Sequence, residues 1–443
     1  MSTAFKVKQL ILVGGDIIVL FLSLLLTLFV RYNTSFNNTI LNEHLSPFSL
    51  LFFLWITIFY IAGLYDLKYL KNDIVFFKKF SAALAVNASV AITAFYFLPV
   101  GITPKTNLLI LIIIFSALEY FWRRIFNKFL SGQAPATNIL LIGSGETNEE
   151  IEKQVKSNPQ LGYAIKFWMK EGLGDAEMAH LNQIIIAEKI DLIVIPSHLK
   201  RNSRAARAIY RNLALGIQTA DVASFYETIF GKVPLVELEE VWFLENLLNR
   251  HKIYESIKQP IEIVFALALT ALLSPLLLII ALLVKITSVG SILYKQQRIG
   301  QYEATFTLYK FRTMVKDAEK SGAQWAQPND RRVTAIGQFL RRTHLDELPQ
   351  LINIIKGELS CVGPRPERPE FTEKLKETIP HYELRHLIRP GLAGWAQLNY
   401  RYGASVEDAY NKLQYEIYYL KNHSFWMDVG IVLKTLKLFF VKN

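Results

Sequence analysis

The chain has 443 residues, 51% of them apolar, and its 49 Lys and Arg against 38 Asp and Glu give a net charge of +11. That length allows two or three domains, and so apolar a composition predicts membrane spans beside globular parts. The positive balance suits anionic lipid or phosphorylated substrates; no basic, aromatic-interleaved module argues for nucleic acid, and the single Cys361 excludes an internal disulfide or a cysteine-based zinc site.

Four hydrophobic segments come first, near Leu10 to Val30, Pro47 to Gly63, Phe80 to Leu98 and Asn107 to Ile125. Each approaches the roughly 20 residues that cross a bilayer as a helix. The first run is long and lacks a small-residue cleavage site, so it is expected to remain as an anchor. Lys6, Lys8, Lys68, Lys71, Lys78, Lys79, Arg123, Arg124 and Lys128 fall on one side of this unit, and little beyond Arg31 and Lys105 on the other. The positive-inside rule then puts both ends of the four-helix unit, residues 1–130, in the cytoplasm. Asp16 lies within the first span, where an acidic side chain is either functional or paired.

From residue 136 the pattern becomes α/β. Asn138–Ile142 reads as a buried strand, Gly143-Ser144-Gly145 as a turn, Glu146–Lys156 as a polar helix and Leu192–Ile195 as a second strand. This predicts a Rossmann-like cytoplasmic domain over 136–249, of the CoA- or nucleotide-binding kind. Asn148 stands where the dinucleotide fingerprint has its third glycine, so a bound nucleotide and a degenerate regulatory or assembly domain both remain open.

A fifth hydrophobic run covers 260–284, with Ser274-Pro275 at its middle. Proline removes a backbone donor and crowds the carbonyl of Ala271, which predicts a break. Four spans before it would leave a true fifth crossing with its basic remainder outside the cell. The expectation is therefore a re-entrant helix opening a mainly helical domain, 250–443. The terminal Trp426–Phe440 stretch reads as an amphipathic helix, at the membrane interface or in the core.

In this last domain Asp346 and Glu347 open a short helix, with Pro349 in its first turn and Gly357 just past its end. Adjacent carboxylates there are either an ordinary charged first turn or a pair able to hold a divalent cation against a phosphate. Their neighbours include Lys295-Gln296-Gln297-Arg298-Ile299-Gly300, Lys310-Phe311-Arg312-Thr313-Met314, Arg341-Arg342-Thr343-His344, Gly363-Pro364-Arg365-Pro366 and Arg389 to Asn399. In this order, behind a hydrophobic helix carrying Ser-Pro, the motifs resemble the bacterial sugar transferases, monotopic polyprenyl-phosphate phosphoglycosyl transferases. The resemblance is strong over Lys252 to Asn443. More loosely it takes in the whole chain, whose four spans and Rossmann-like domain match the long-form undecaprenyl-phosphate glucose and galactose phosphotransferases.

The resemblance implies transfer of a sugar 1-phosphate from a UDP-sugar to undecaprenyl phosphate, with release of UMP, as the first membrane step of an exopolysaccharide, capsule or O-antigen repeat. It implies Asp346 as nucleophile, Glu347 as a partner in holding Mg²⁺, and Lys310, Arg312, Arg341 and Arg365 around the phosphates. It also implies a bacterial inner-membrane location with the catalytic domain at the cytoplasmic face, membrane lipids as surroundings, and a possible homodimer. The chemistry agrees: arginine forks and a metal neutralise phosphate oxygens, and an acyl-phosphate divides one hard transfer into two. Trp395 and Gln397 read as core or interface rather than sugar contacts. Cys361 and Glu416 depart from the family pattern, and Tyr400–Ala409 resembles an exopolysaccharide-associated subgroup, which leaves the sugar open.

Two other readings compete. A membrane-anchored nucleotide-sugar dehydratase shares the layout, but its glycine motif would be complete and its Tyr-x-x-x-Lys would lie inside the Rossmann domain; here only Tyr254 and Lys258, in the linker, match. A non-enzymatic scaffold of polysaccharide assembly would not need Asp346.

Overall fold

The computed structural model describes residues 3–33, 37–66, 70–97, 105–132, 136–170, 175–197, 210, 216–247, 252–315, 330, 332–400, 403 and 405–438. Lys68 and part of the Tyr400–Ala409 segment lie outside them. The chain divides into two compact units, Met1–Phe230 and Gly231–Asn443.

The first unit opens with helices α1 (Thr3–Tyr32), α2 (Asn38–Ala62), α3 (Ile74–Phe97) and α4 (Lys105–Gly132). Their core is Leu20, Leu24 and Leu28 with Phe48, Trp55, Phe59 and Phe115. Asn37 caps α2 through the Ile40 amide, and Gly63 ends it in the left-handed region at φ 78°. Three of these helices, from Val7, Asn38 and Ile74, are long and apolar enough to cross a membrane. The fourth helix, α4, carries Glu119 and Arg123 within its apolar run, both fully buried. Arg123 pairs with Asp16, also reached by Tyr65 Oη at 2.8 Å and Trp122 Nε1 at 3.0 Å, so the acidic residue of the first span is paired.

Beyond α4 lies a parallel sheet of order β2-β1-β3-β4, formed by Thr137–Ile142 (β1), Tyr163–Met169 (β2), Leu192–Ile195 (β3) and Gln218–Asp221 (β4). Helix α5 (Glu146–Ser157) follows β1, α6 (Asp175–Ala187) precedes β3, and α7 (Val222–Phe230) follows β4. Ile139 and Leu141 face one apolar layer while Leu140 and Ile142 face the other, so β1 is buried on both sides.

In the second unit, α8 (Glu240–Leu247) leads to α9 (Lys252–Thr287), followed by the antiparallel hairpin β5 (Leu293–Ile299) and β6 (Thr305–Phe311). Val233, Leu235 and Phe243 pack with Leu413, Ile417 and Tyr419, so 231–247, attached to the preceding domain in the sequence reading, contributes to this core. Helix α9 is the fourth element long and apolar enough to span. It is one 36-residue helix that carries Ser274-Pro275 within it. Pro275 leaves the Ala271 carbonyl without its amide donor, and Ser274 Oγ supplies the missing hydrogen bond at 2.8 Å.

Candidate active site

Four segments of the second unit bring the site together. Strand β6 ends with Lys310 and Phe311. Helix α10 (Ala335–Arg342) is capped by Thr334, whose hydroxyl accepts from the Gly337 amide at 3.0 Å, and carries Arg341 in its last turn. His344 then takes a left-handed φ of 55° and turns the chain into a 3₁₀ segment, Leu345–Gln350, which bears the two carboxylates and feeds helix α11 (Leu351–Ile355). The predicted short helix is therefore a 3₁₀ turn joined to an α-helix, with Pro349 inside the turn and Gly357 at φ 76° beyond. The fourth segment is β7 (Ser360–Val362), which pairs in parallel with β8 (Gly391–Ala393) and leads directly to Arg365. Gly363 is required there, since a β-carbon would lie 2.5 Å from the Arg389 carbonyl oxygen.

Glu347 is the hub. Its Oε1 accepts from Lys310 Nζ and from Arg365 Nη2, each at 2.7 Å. Burial pushes its carboxyl up, but the charges of Arg365 and Lys310 prevail and hold it far below the usual carboxylate range. Asp346, only 7% exposed, behaves oppositely: burial outweighs the attraction of Lys310, and its carboxyl is raised. Glu347 contributes to that rise, while Arg341 and His344 oppose it. None of the described residues hydrogen-bonds to the Asp346 carboxylate. Thus one carboxylate organises cations and the other stands open among them.

The predicted residues do not all converge. Lys310, Arg365 and Glu347 meet, and Arg341 acts on Asp346 through its charge while its Nε donates to Thr313 Oγ1 at 2.8 Å. Arg312 goes elsewhere: its Nη2 donates to the carbonyl and hydroxyl oxygens of Ser288, each at 2.7 Å, just beyond the end of α9. Trp395 donates to the Gly231 carbonyl at 2.8 Å and belongs to the core. Gln397 lines a small cavity with Arg365 and Glu416.

Two positioning groups escaped the sequence reading. Asn353, fully buried on α11, donates to the Thr307 carbonyl and to Glu358, both at 2.7 Å, and accepts from the Tyr309 amide at 3.2 Å. It fastens the carboxylate-bearing turn to β6; a lone Asn within Leu-Ile-Asn-Ile-Ile was its only signal. Arg385 forks onto Glu416 with two bonds of 2.8 Å and donates from Nη2 to the Arg365 carbonyl at 2.9 Å. Its partner lies 31 residues away in sequence, beyond any local pattern.

A magnesium ion commonly takes one or two carboxylates and completes its shell with water and phosphate oxygens. Asp346 and Glu347 meet that minimum, and no third His, Cys, Asp or Glu joins them among the described residues. Asp346 has the more open oxygens, since Glu347 Oε1 already carries two cations. Beside the four-stranded parallel sheet Asn148 is buried, and Glu146 and Glu149 occupy the first turn of α5, charges that disfavour a pyrophosphate at that helix start.

A buried Asp346 and a half-buried Glu347 stand among Lys310, Arg341 and Arg365, in a unit that also carries a helix long and apolar enough to cross a membrane. Residues 253–442 match the family model for bacterial sugar transferases. An N-acetylgalactosaminephosphotransferase of Aeromonas hydrophila that acts with UDP-N-acetylgalactosamine and undecaprenyl phosphate is 42% identical over 48% of this chain and 49% of its own length. An undecaprenyl-phosphate glucose phosphotransferase of Komagataeibacter xylinus is 37% identical over 68% of this chain and 59% of its own. The exopolysaccharide production protein PSS of Rhizobium leguminosarum bv. phaseoli is 38% identical over 41% of this chain and 93% of its own. The matches to the first two relatives thus span about half to three fifths of their length, and the third is matched almost entirely. The chain belongs to the bacterial sugar transferase family.

Proposed function

We propose that this protein transfers a sugar 1-phosphate from a UDP-sugar to undecaprenyl phosphate, releasing UMP and starting an exopolysaccharide, capsule or O-antigen repeat. The observation that carries this reading is the open Asp346 carboxylate beside a Glu347 held by Lys310 and Arg365. An Asp346 oxygen attacks the sugar-bearing phosphorus, the bond to the bridging oxygen breaks, and UMP departs. A phosphate oxygen of undecaprenyl phosphate then attacks the aspartyl-phosphosugar and frees Asp346. Lys310, Arg341 and Arg365 receive the phosphate charge, and Glu347 keeps two of those cations in place. Mg²⁺ held by Asp346 and Glu347 would add neutralising charge at the phosphate oxygens.

Helix α9 keeps this chemistry at headgroup level. Near its start Lys258 binds Asp428 at 2.8 Å and the Val362 carbonyl at 2.9 Å; past its end Ser288 receives Arg312. Between them, Ala266 packs with Phe306 and Leu351, and Ile280 and Val284 with Phe311 and Leu340. The same domain holds both ends and packs on Ala266, Ile280 and Val284, while Val264, Phe265, Leu272, Leu278 and Leu282 remain exposed. This supports a helix that lies in one leaflet rather than one that crosses, with the domain on the cytoplasmic face of the inner membrane. The dehydratase reading loses its motif, because Tyr254 and Lys258 both bind Asp428 in a buried structural network. A homodimer is part of the same reading by resemblance, and light scattering in detergent checks it.

The test is nucleotide release by protein in nanodiscs with Mg²⁺, undecaprenyl phosphate and a panel of UDP-sugars. UMP from wild type and none from Asp346→Asn supports the reading and identifies the sugar. UDP as product means ordinary glycosyl transfer. No nucleotide across the panel favours the scaffold.

A further inference from the structure

The membrane unit holds an open pocket of about 250 Å³ where the start of α3 meets α4, lined by Asn72, Asp73, Ile74, Phe77, Tyr120 and Arg124 among others, most of them exposed. Phosphosugar transfer makes no use of it. Part of the lining is polar and well anchored. Arg124 Nη1 donates to Tyr120 Oη at 2.8 Å, which steadies the guanidinium and leaves its other donors available. Asn72 Nδ2 donates to the Arg124 carbonyl at 3.2 Å, and Asn72 Oδ1 accepts from Asn127 Nδ2 at 3.2 Å, so the loop before α3 is tied to α4. Asp73 Oδ1 accepts from the Phe76 amide at 2.8 Å and so caps α3.

The rest of the lining is apolar. Phe77 stands edge-on to Tyr120 at 6.2 Å, and Ile74 and Phe77 are exposed in the first turn of a helix apolar enough to span. The pocket therefore sits where a span begins, with one cation, one anion and an apolar rim. A guanidinium fork suits a phosphate. A carboxylate beside it suits an ammonium group. Within the lining itself one cation, Arg124, stands against one anion, Asp73, a pairing that matches a zwitterion better than a dianionic phosphomonoester.

We propose that this pocket binds the headgroup of a zwitterionic phospholipid, with its phosphate on Arg124, its ammonium on Asp73 and its chains along Ile74 and Phe77. The volume accommodates a headgroup while the chains stay in the bilayer.

Native mass spectrometry of the full chain, offered equal amounts of phosphatidylethanolamine, phosphatidylglycerol and undecaprenyl phosphate, tests this. Wild type is expected to retain phosphatidylethanolamine preferentially, and Arg124→Gln to lower that retention about tenfold, equivalent to about 1.4 kcal/mol. Asp73→Asn keeps a capping side chain and is expected to erase the preference over phosphatidylglycerol. Both variants should release UMP as wild type does, since neither residue belongs to the transfer site. Retention of phosphatidylglycerol or undecaprenyl phosphate as strongly as phosphatidylethanolamine by wild type overturns the assignment. So does an unchanged preference in both variants.

Discussion

Arg385 holds Arg365 by its backbone: the Arg385 Nη2 donates to the Arg365 carbonyl at 2.9 Å, while the Arg365 side chain reaches Glu347. The arginine that binds Glu347 is thus aimed by a second, buried arginine whose own charge is met by Glu416. Replacing Arg385 by Met leaves Glu416 buried without its partner. That costs about 3–5 kcal/mol, expected as a marked fall in melting temperature, and the double replacement Arg385→Met with Glu416→Met should recover part of it. Full stability in the single variant would show that the fork is dispensable.

The two carboxylates should differ under mutation. Asp346→Asn removes the proposed nucleophile and is expected to abolish UMP release with expression intact. Glu347→Gln leaves the nucleophile but loosens Lys310 and Arg365, and about 10²–10³-fold of the rate should go, the scale of one preorganised electrostatic contact. Equal, small effects in single-turnover assays would contradict this division of roles.

The pH profile follows from Asp346. Burial raises its carboxyl above the ordinary 3.8, and in the proposed mechanism it attacks only when ionised. Activity therefore holds above the raised value and falls tenfold per pH unit as pH drops through it. Arg341 opposes that rise without bonding Glu347, so Arg341→Met should move the acid limb to higher pH. A limb that stays in place, or moves down, would contradict a charge effect of Arg341 on Asp346.

Asn353→Ala removes three hydrogen bonds from a fully buried site and leaves the Tyr309 amide without its side-chain acceptor. A loss of about 2–4 kcal/mol is expected from unmet buried groups, together with a lower rate, because α11, which continues the 3₁₀ turn that carries Asp346, loses its bonds to Thr307 and Tyr309 of β6 and leaves Lys310–Glu347 as the remaining side-chain tie described there. Thermal melting and UMP release read the two effects separately.

Cys361 is the simplest probe of the native core. Burial, then the nearby Glu262 carboxylate, push its thiol up to about 12, so the reactive thiolate is scarce at pH 8. Iodoacetamide should label it slowly in the native protein and readily after denaturation. Fast native labelling would mean that the segment before Gly363 opens in solution.

Much was legible in the sequence because it is encoded locally. Apolar runs of bilayer length, the buried β1 and β3 segments, and Pro349 and Gly357 around the carboxylates each report on neighbours within a few residues, and backbone periodicity enforces them. The order of the motifs gave the family, since adjacent charged and glycine-proline clusters survive as strings. What only the tertiary structure decided is which of those strings meet. Lys310 and Arg365 converge on Glu347 from 37 and 18 residues away, whereas Arg312, two residues from Lys310, turns to Ser288. The Ser274 hydroxyl bond to the Ala271 carbonyl and the hold of the Arg385–Glu416 fork on Arg365 were likewise settled only in three dimensions. Such pairings are set by how β6, β7 and α9 pack around one another, and pattern along the chain carries no record of distances across it.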